Sequence, residues 1–191
     1  RYFSSLIDQS CIETQYQYLV SSGVYSNMQI NLKKLFDNTS DFPYVIYLLW
    51  KQINKNDMDG IIATSKNGVA FASILGEILG YPVLYFNIGQ MFEETYNCSP
   101  EIKKGGKYIH VYDMICLGSE TKVLNALVNA QGGRVIKSVG CVCLPDLEIA
   151  KKKNRYSTMN HVWSIVGQND LKKRYEISLY NNTKKENSNG K

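Results

Sequence analysis

Two short turns in this sequence combine residue types that bind anions. The segment YIHVYDMICLGSET (108–121) is typical of a buried strand that ends at Asp113, breaks at Gly118 and passes into a helix. The segment TSKNG (64–68) follows another strand-like run in the same way. Backbone N–H groups and the helix dipole favour negative charge at a helix N-terminus. The pair of turns therefore indicates a ligand with two separated anionic groups.

The elements that would position these turns alternate along the chain. Strands are predicted over 59–65, 81–88, 107–114 and 134–146, and helices over 41–56, 69–80 and 119–133. Such alternation is typical of an α/β fold with a largely parallel sheet. Ligands in these sheets bind beyond the carboxyl ends of the strands, near the point where the strand order reverses. We therefore expect both turns at that edge of the sheet.

The remaining segments are predicted from weaker patterns. Residues 4–20 have the apolar spacing of a helix, 28–32 alternate like a short strand, and 66–68 are predicted to form a turn. Residues 89–106 have few periodic apolar side chains and are predicted to form a long loop. We expect a single domain over 1–180, divided into a hood (1–40), a core (41–150) and a C-terminal extension (151–180), and then a flexible polar tail (181–191).

Composition narrows the class of protein. The chain has 191 residues, of which 44% are hydrophobic and 20% charged, which is typical of a soluble globular domain. No apolar run reaches the roughly 18 residues that span a bilayer, and the first residues lack a signal-peptide pattern, so a cytoplasmic protein is expected. Five cysteines and two histidines without metal-ligand spacing give little support to a zinc site. The phosphate-binding motifs GxxxxGK[ST] and GxGxxG are both absent from the sequence.

Three segments together resemble the type I phosphoribosyltransferases, most closely the orotate phosphoribosyltransferase branch. They are YLVSSGVYSNMQINLKKL (18–35), DGIIATSKNGVAFASILGEILGYPVLY (59–85) and GKYIHVYDMICLGSETKVLNALVNAQGGRVIKSVGCVCLPD (106–146). The resemblance implies a mostly parallel twisted sheet flanked by helices, with a small N-terminal hood. It also implies binding of phosphoribosyl pyrophosphate (PRPP) with Mg²⁺, and a homodimer. In the reaction of this family, a nitrogenous base replaces pyrophosphate at the sugar C1 through an oxocarbenium-like transition state.

The same resemblance implies roles for individual residues. Those implied for the ribose and its 5′-phosphate are Asp113, Cys116, Leu117, Gly118, Ser119, Glu120 and Thr121. Those implied for the pyrophosphate are Ser65, Lys66, Asn67 and Gly68, and those implied for the base are Ser22, Gly23 and Ser26 in the hood. Asp113 is also expected to hold Mg²⁺ indirectly, through PRPP and water.

Two positions in the second turn depart from the family pattern. Tyr112 stands where the first of two consecutive acidic residues is expected, and a phenol offers no carboxylate to ribose hydroxyls or hydrated Mg²⁺. Glu120 stands where the family has Thr or Ser. A carboxylate about 4 Å from a phosphate costs roughly 4 kcal/mol at an effective dielectric near 20, or about three powers of ten in affinity. PRPP binding therefore requires that Glu120 turn outward, or that Ser119 and Thr121 supply the hydroxyls.

The loop at 89–106 departs as well. Glu93 and Glu94 occupy it where the resemblance implies positive charge over the pyrophosphate. Only Lys103 and Lys104 are candidates to replace that charge, and they are the weak candidates for a catalytic role. His110 lies within a strand pattern and is interpreted as a hydrogen-bonded sheet histidine. No general acid or base is identified.

Three functions remain open from the sequence. The first is a divergent phosphoribosyltransferase that acts on a pyrimidine-like or other base with release of pyrophosphate. The second is a catalytically silent subunit that binds PRPP or a nucleotide in a regulatory or structural role. The third is a scaffold whose basic C-terminal region contacts nucleic acid or a protein. Its support is the net charge of +5 alone, and a solvated basic face is the ordinary interpretation of that charge.

Overall fold

Five strands of one sheet and the helices between them carry the two turns. The computed structural model describes residues 11–13, 18–21, 24–26, 29–37, 40–53, 57–88, 101–116, 118–144, 161–167 and 179–181. The strands are β1 (Ile12–Glu13), β2 (Tyr18–Ser21), β3 (Val24–Ser26), β4 (Gln29–Ile30), β5 (Gly60–Ala63), β6 (Val83–Tyr85), β7 (Lys107–Ile115), β8 (Arg134–Cys143), β9 (Val162–Gly167) and β10 (Leu179–Asn181). The helices are α1 (Asp41–Ile53), α2 (Lys66–Leu79) and α3 (Ser119–Ala130), with a 3-10 helix at Leu32–Leu35.

The main sheet has the strand order β6-β5-β7-β8-β9, and each neighbouring pair is parallel. From β5 the chain passes through α2 to β6 on one side, and β7 then lies on the other side of β5. The strand order therefore reverses between β5 and β7, which is where such sheets form ligand crevices. The predicted α/β fold, with a mostly parallel sheet flanked by helices, is confirmed.

Two apolar layers cover this sheet. On one face, Ile61 of β5 belongs to the cluster that contains Leu49 of α1 and Phe71 of α2. On the other face, Ile62 belongs to the cluster that contains Leu124 of α3. Successive residues of a strand point to opposite faces, so Ile61 and Ile62 separate into the two layers. A slip of one residue would exchange the layers, which fixes the register and with it the position of the turn after β5.

Helix α2 begins earlier than predicted. Ser65 caps it, because the Ser65 Oγ accepts a hydrogen bond from the Gly68 N–H at 3.0 Å. The prediction of a separate turn at 66–68 is therefore wrong, since the cap satisfies a backbone donor and lets these residues form the first turn of the helix. The predicted end at Gly80 is confirmed. Gly80 has φ of 72°, a left-handed conformation that glycine adopts without a Cβ penalty.

The prediction of a helix over 4–20 is wrong where this segment is described. Residues 12–13 and 18–20 lie in β1 and β2; β2 pairs antiparallel with β3, and β3 pairs antiparallel with β10. Because β10 begins at Leu179, local apolar spacing carries no information about this pairing. The short strand predicted over 28–32 is present as β4, and the 3-10 helix follows it.

Of the three sheets in the described residues, one pairs β1 with β4, and the other two each include a strand from beyond residue 150. β9 pairs with β8 at the edge of the main sheet, and β10 pairs with β3. The division into hood, core and extension stays a prediction. Among the helices of the described ranges, none combines the length and apolar character that a bilayer crossing requires.

Candidate functional site

A cavity of about 140 Å³ opens where β5 and β7 end, at the point where the strand order reverses. It is lined by Thr64, His110, Tyr112, Asp113, Met114, Ile115, Cys116, Gly118, Ser119, Glu120 and Thr121. One water molecule needs only about 10–15 Å³ of such space, so a phosphate-sized group fits. The structure thus brings most residues of the second turn to one cavity. Leu117 lies outside the described residues.

Asp113 connects the two turns. Its Oδ1 accepts hydrogen bonds from the Ser65 hydroxyl at 2.8 Å and from the Met114 N–H at 2.7 Å. Its Oδ2 accepts a hydrogen bond from the Asn67 amide at 3.0 Å. A carboxylate has about four acceptor positions, so three bonds leave about one for a ligand. The predicted pyrophosphate turn is therefore held against the end of β7 by the residue expected to bind the ribose.

Gly68 allows this close approach. A Cβ at this position would lie 2.7 Å from the Ser65 Oγ and 3.1 Å from the Val111 carbonyl oxygen. Both distances are shorter than an ordinary carbon–oxygen contact, and one of the neighbours is backbone. The first turn of α2 can therefore pack against β7 only because residue 68 has no side chain. The Lys66 side chain, between Ser65 and Asn67, is exposed.

The turn before α3 is built differently. Gly118 precedes the helix with φ of 80°, and no side chain caps this end. Its backbone carbonyl accepts the Lys122 N–H at 3.0 Å, so the helix begins directly after it. Ser119 is exposed, whereas Thr121 is buried with 1% exposure and its carbonyl accepts a bond from Asn125. The first N–H groups of α3 thus lack a side-chain cap, which is the arrangement expected of an anion-binding turn.

Glu120 places an acid in this turn. Its side chain lines the cavity, and it accepts a hydrogen bond from the Thr64 side chain. Shielding from water raises the pKa of Glu120, the hydrogen bond from Thr64 lowers it, and the nearby Asp113 carboxylate raises it further. The net direction is upward. Glu120 is exposed to solvent as well, so it lies at the mouth of the cavity with its side chain bonded to Thr64.

A buried chain of polar groups stands behind Thr64. The Thr64 Oγ1 lies 3.1 Å from the His110 Nε2, and the His110 Nδ1 lies 3.3 Å from the Ser138 Oγ. His110 is 1% exposed, and burial lowers its pKa to about 3, so the ring is neutral. The interpretation of His110 as a hydrogen-bonded sheet histidine is consistent with these contacts. Thr64 and Ser138 were missed from the sequence; only the place of Thr64 at a strand end could have pointed to it.

The Tyr112 side chain is buried and hydrogen-bonded inside the protein. Its hydroxyl donates a hydrogen bond to the Trp163 carbonyl at 2.9 Å, and the side chain is 2% exposed. Burial is the main reason that the pKa of Tyr112 lies well above its usual value, so the phenol stays neutral. Its ring packs on Gly140, where a Cβ would lie 2.3 Å from the ring. Because the hydroxyl is bonded to β9, the first position of the expected acidic pair presents no carboxylate to a ribose.

The structure does not bring Lys103 and Lys104 to this cavity. The Lys103 ammonium pairs at 2.6 Å with Asp59, which lies just before β5. The Lys103 backbone N–H donates a hydrogen bond to the Tyr108 hydroxyl. Lys104 lies beside Gly132. These positions are at the amino end of β7, and nine residues at about 3.3 Å each separate the two ends of that strand. Both lysines are thus on the opposite edge of the sheet.

The expected hood residues are described only in part. Ser26 lies in β3, where it pairs with Tyr18 and Leu179. Ser22 and Gly23 lie outside the described residues, as do the loop acids Glu93 and Glu94. The structure therefore leaves the roles implied for these residues as predictions.

The cavity lining also includes the Cys116 thiol. Burial, aided by Asp113 and Glu120, raises the pKa of the Cys116 thiol to about 12, which leaves it protonated and a poor nucleophile. Where the chain is described, no group of three or more His, Cys, Asp or Glu side chains is arranged to hold a metal ion.

Two proteins of similar sequence carry the family name. The chain is 28% identical over 132 residues to an adenine phosphoribosyltransferase of Petrotoga mobilis, which covers 61% of this chain and 75% of that protein. It is 26% identical over 136 residues to an orotate phosphoribosyltransferase of Sulfurisphaera tokodaii, which covers 71% and 69% respectively. No family model matches the chain.

Solved structures share the fold. An orotate phosphoribosyltransferase from Aeropyrum pernix superposes with a TM-score of 0.67 at 16% identity, over 90% of this chain and 98% of that one. An adenine phosphoribosyltransferase from Thermoanaerobacter pseudethanolicus gives 0.65 at 19% identity, over 85% and 98%. The similarities thus extend to both the orotate and the adenine branch. The chain is therefore similar in sequence to adenine and orotate phosphoribosyltransferases, and it has the fold of the solved structures of type I phosphoribosyltransferases.

Proposed function

We propose that this chain is a divergent phosphoribosyltransferase that transfers the 5-phosphoribosyl group of PRPP to a purine or pyrimidine base. The observation that carries the proposal is the pair of helix-opening turns at the point of strand reversal, joined by the bonds of Asp113 to Ser65 and Asn67. Relatives named adenine and orotate phosphoribosyltransferases support the reaction class.

In this proposal the two turns divide the ligand between them. The backbone of residues 65–68 receives the pyrophosphate, and residues 116–121 receive the 5′-phosphate, each at a helix N-terminus. The sugar C1 then lies between the turns. A ring nitrogen of the base forms the new bond to C1 as the bond from C1 to the pyrophosphate oxygen breaks, and pyrophosphate leaves with that electron pair. The remaining acceptor position of Asp113 bonds one ribose hydroxyl, which orients the sugar.

Mg²⁺ fits the residues present, although only through the substrate. Proteins hold Mg²⁺ with one or two carboxylates together with waters and substrate phosphates. Asp113 is the one carboxylate that the family pattern retains on β7, and it has about one acceptor position left. That position is the one assigned to a ribose hydroxyl, so we propose that Asp113 holds the ion indirectly, through the PRPP that it bonds and the water bound to the ion. When bound, the ion would neutralise charge that develops on the leaving pyrophosphate.

A silent PRPP- or nucleotide-binding subunit is the second candidate. It is favoured by Tyr112, whose hydroxyl is bonded to the Trp163 carbonyl instead of facing a ribose. It is favoured also by the lysines at 103 and 104, which lie at the other edge of the sheet and supply no positive charge to a pyrophosphate at the switch point. This candidate keeps the binding site and removes the reaction.

Two measurements on the full chain test both candidates. Calorimetry with PRPP and Mg²⁺ should show binding at millimolar ligand or below, and Asp113→Asn should weaken it. Asp57→Asn, at an exposed carboxylate on the opposite edge, should leave it unchanged. A pyrophosphate-release assay over purine and pyrimidine bases then separates the candidates: turnover supports the enzyme, and binding without turnover supports the silent subunit. Absence of heat with PRPP would exclude both.

Two finer expectations are tested separately. The hood is proposed to select the base, so turnover with purines or with pyrimidines in the same assay identifies the class. The homodimer implied by the family is proposed as well, and sedimentation equilibrium should give twice the chain mass of 21.7 kDa. A monomer at assay concentration would contradict the dimer and leave the reaction untouched.

A further inference from the structure

Glu120 lies in the turn that would receive the 5′-phosphate, exposed to solvent on one side and bonded to Thr64 on the other. Its carboxylate shares the cavity with Asp113 and is bonded by the Thr64 side chain. Thr64 is 6% exposed and sits at the end of β5, so it is held in place by the main sheet. A bond from a fixed buried hydroxyl keeps the acid toward the cavity.

The hydrogen atoms of the buried chain all point toward Glu120. Thr64 has a single hydroxyl proton, which it donates to Glu120, so its oxygen accepts from the His110 Nε2–H at 3.1 Å. The neutral ring then accepts at Nδ1 from the Ser138 hydroxyl, 3.3 Å away. Hydrogen bonds aligned in this way polarise one another, so the bond from the Thr64 hydroxyl to the Glu120 carboxylate is strengthened.

We propose that Glu120 is a specificity-determining residue that competes with the ligand's 5′-phosphate for the turn before α3, and that Thr64 positions it. The inference rests on the proposed function, because it assigns this turn to the phosphate. The carboxylate occupies space that a dianionic phosphate needs and repels its charge. A dianion binds well only when Glu120 is protonated or displaced, so the site discriminates against sugar phosphates at high pH.

The other groups around Glu120 define the pH range of a test. His110, Tyr112 and Cys116 share the cavity, and burial keeps all three neutral between about pH 5 and 8. Asp113 is the second acid of the cavity, and the exposed Lys66 and Lys122 follow Thr64 and Glu120, respectively, by two residues. A variant at Glu120 therefore isolates the effect of that carboxyl group.

The probe is sulfate, a phosphate-sized dianion whose charge does not change over this pH range. Calorimetry on the full chain at constant ionic strength compares wild type, Glu120→Gln, Thr64→Val and the double variant. Wild-type affinity for sulfate should rise as pH falls through the raised pKa of Glu120. Glu120→Gln should bind sulfate about tenfold more tightly at pH 8 and should lose the pH dependence. A tenfold change lies between the effect expected of a screened surface charge and that of a charge at an effective dielectric near 20.

Thr64→Val tests the positioning role. Losing the bond that lowers the pKa of Glu120 should move the midpoint of the sulfate profile to higher pH. In the double variant, Thr64→Val should add nothing to Glu120→Gln, because Thr64 acts through the carboxylate. Glu77→Gln, at an exposed acid on α2, is the matched control and should behave as wild type.

The outcomes separate this inference from the proposed function. If Glu120→Gln binds sulfate no more tightly than wild type, or keeps the pH dependence, Glu120 does not compete with the anion. If that happens while wild type binds pyrophosphate, which occupies the other turn, the proposed function stands and only this inference fails. If no variant binds sulfate, pyrophosphate or PRPP, both are overturned. Should Thr64→Val not fold, the Glu120→Gln comparison decides alone.

Discussion

The turn before α2 and the turn before α3 both follow a central strand and open a helix, yet their side chains are arranged differently. In the first, Ser65 caps the helix and bonds Asp113, and Asn67 bonds the same carboxylate. In the second, Gly118 leaves the helix uncapped and Glu120 faces the cavity. The first turn is ordered by its own side chains, whereas the second is held from behind by buried groups. A change at Glu120 therefore leaves the bonds that order the first turn in place, whereas a change at Asp113 would remove them.

Lowering the pH should produce the largest effect, because it acts on the buried His110 behind the second turn. His110 has a folded pKa of about 3, below its ordinary 6.5, so the unfolded chain binds a proton that the folded chain does not. Its contribution to stability is complete above about pH 6.5 and is lost as pH falls toward 3. We expect a loss on the order of 2–3 kcal/mol between pH 7 and 4.5, measured by urea unfolding.

The matched variants for this prediction are His110→Gln and His161→Gln. The first should reduce the difference in unfolding free energy between the two pH values. The second, at an exposed histidine, should keep it. An equal acid loss in wild type and His110→Gln would show that the titration of His110 does not set it.

The glycines of the two turns should differ in cost. Gly68→Ala places a Cβ 2.7 Å from the Ser65 Oγ and 3.1 Å from the Val111 carbonyl, so we expect about 2–3 kcal/mol of destabilisation from overpacking. Gly118→Ala strains a backbone with φ of 80° and should cost about 1–2 kcal/mol. Denaturant unfolding of the two variants side by side checks the order. The reverse order would mean that the first turn yields more easily than its contacts indicate.

Tyr112→Phe should have the smallest effect and should be confined to stability. It removes the bonds of the hydroxyl to the Trp163 carbonyl, at 2.9 Å, and to the Ser164 side chain, so a loss of about 1 kcal/mol is expected. PRPP affinity, measured by calorimetry, should not change. A drop in affinity with the fold intact would place the phenol in the ligand site and weaken the contrast drawn between the turns.

The strand and helix pattern predicted the main sheet well because its information is local. The strand after residue 59, the helix that stops at Gly80 and the turn at Asp113 each have their own sequence signals, and parallel pairing then brings both turns to one edge. The helix predicted over 4–20 was wrong although β1 and β2 pair with the nearby strands β4 and β3. Apolar spacing in so short a segment does not distinguish a helix from a strand.

Side-chain direction was the other limit. The sequence placed Glu120 in the second turn but left its orientation open, because the group that holds it, Thr64, comes from another strand. The engagement of Asp113 by Ser65 and Asn67 depends in the same way on two segments that are 46 to 48 residues apart. Residues that act within one turn could be predicted, and contacts between turns could not.

The packing of Tyr112 on Gly140 restricts how this site can evolve. An aspartate at position 112 would remove a buried ring, leave the Trp163 carbonyl without its donor and bury a charge, and the emptied space beside Gly140 alone would cost about 3–5 kcal/mol. A larger residue at 140 cannot come first, because its Cβ would lie 2.3 Å from the tyrosine ring. Each single step toward the two-acid pattern is therefore destabilising, and a paired change at 112 and 140 would offset only the lost packing. Tyr112 is therefore difficult to replace by an acid through single substitutions.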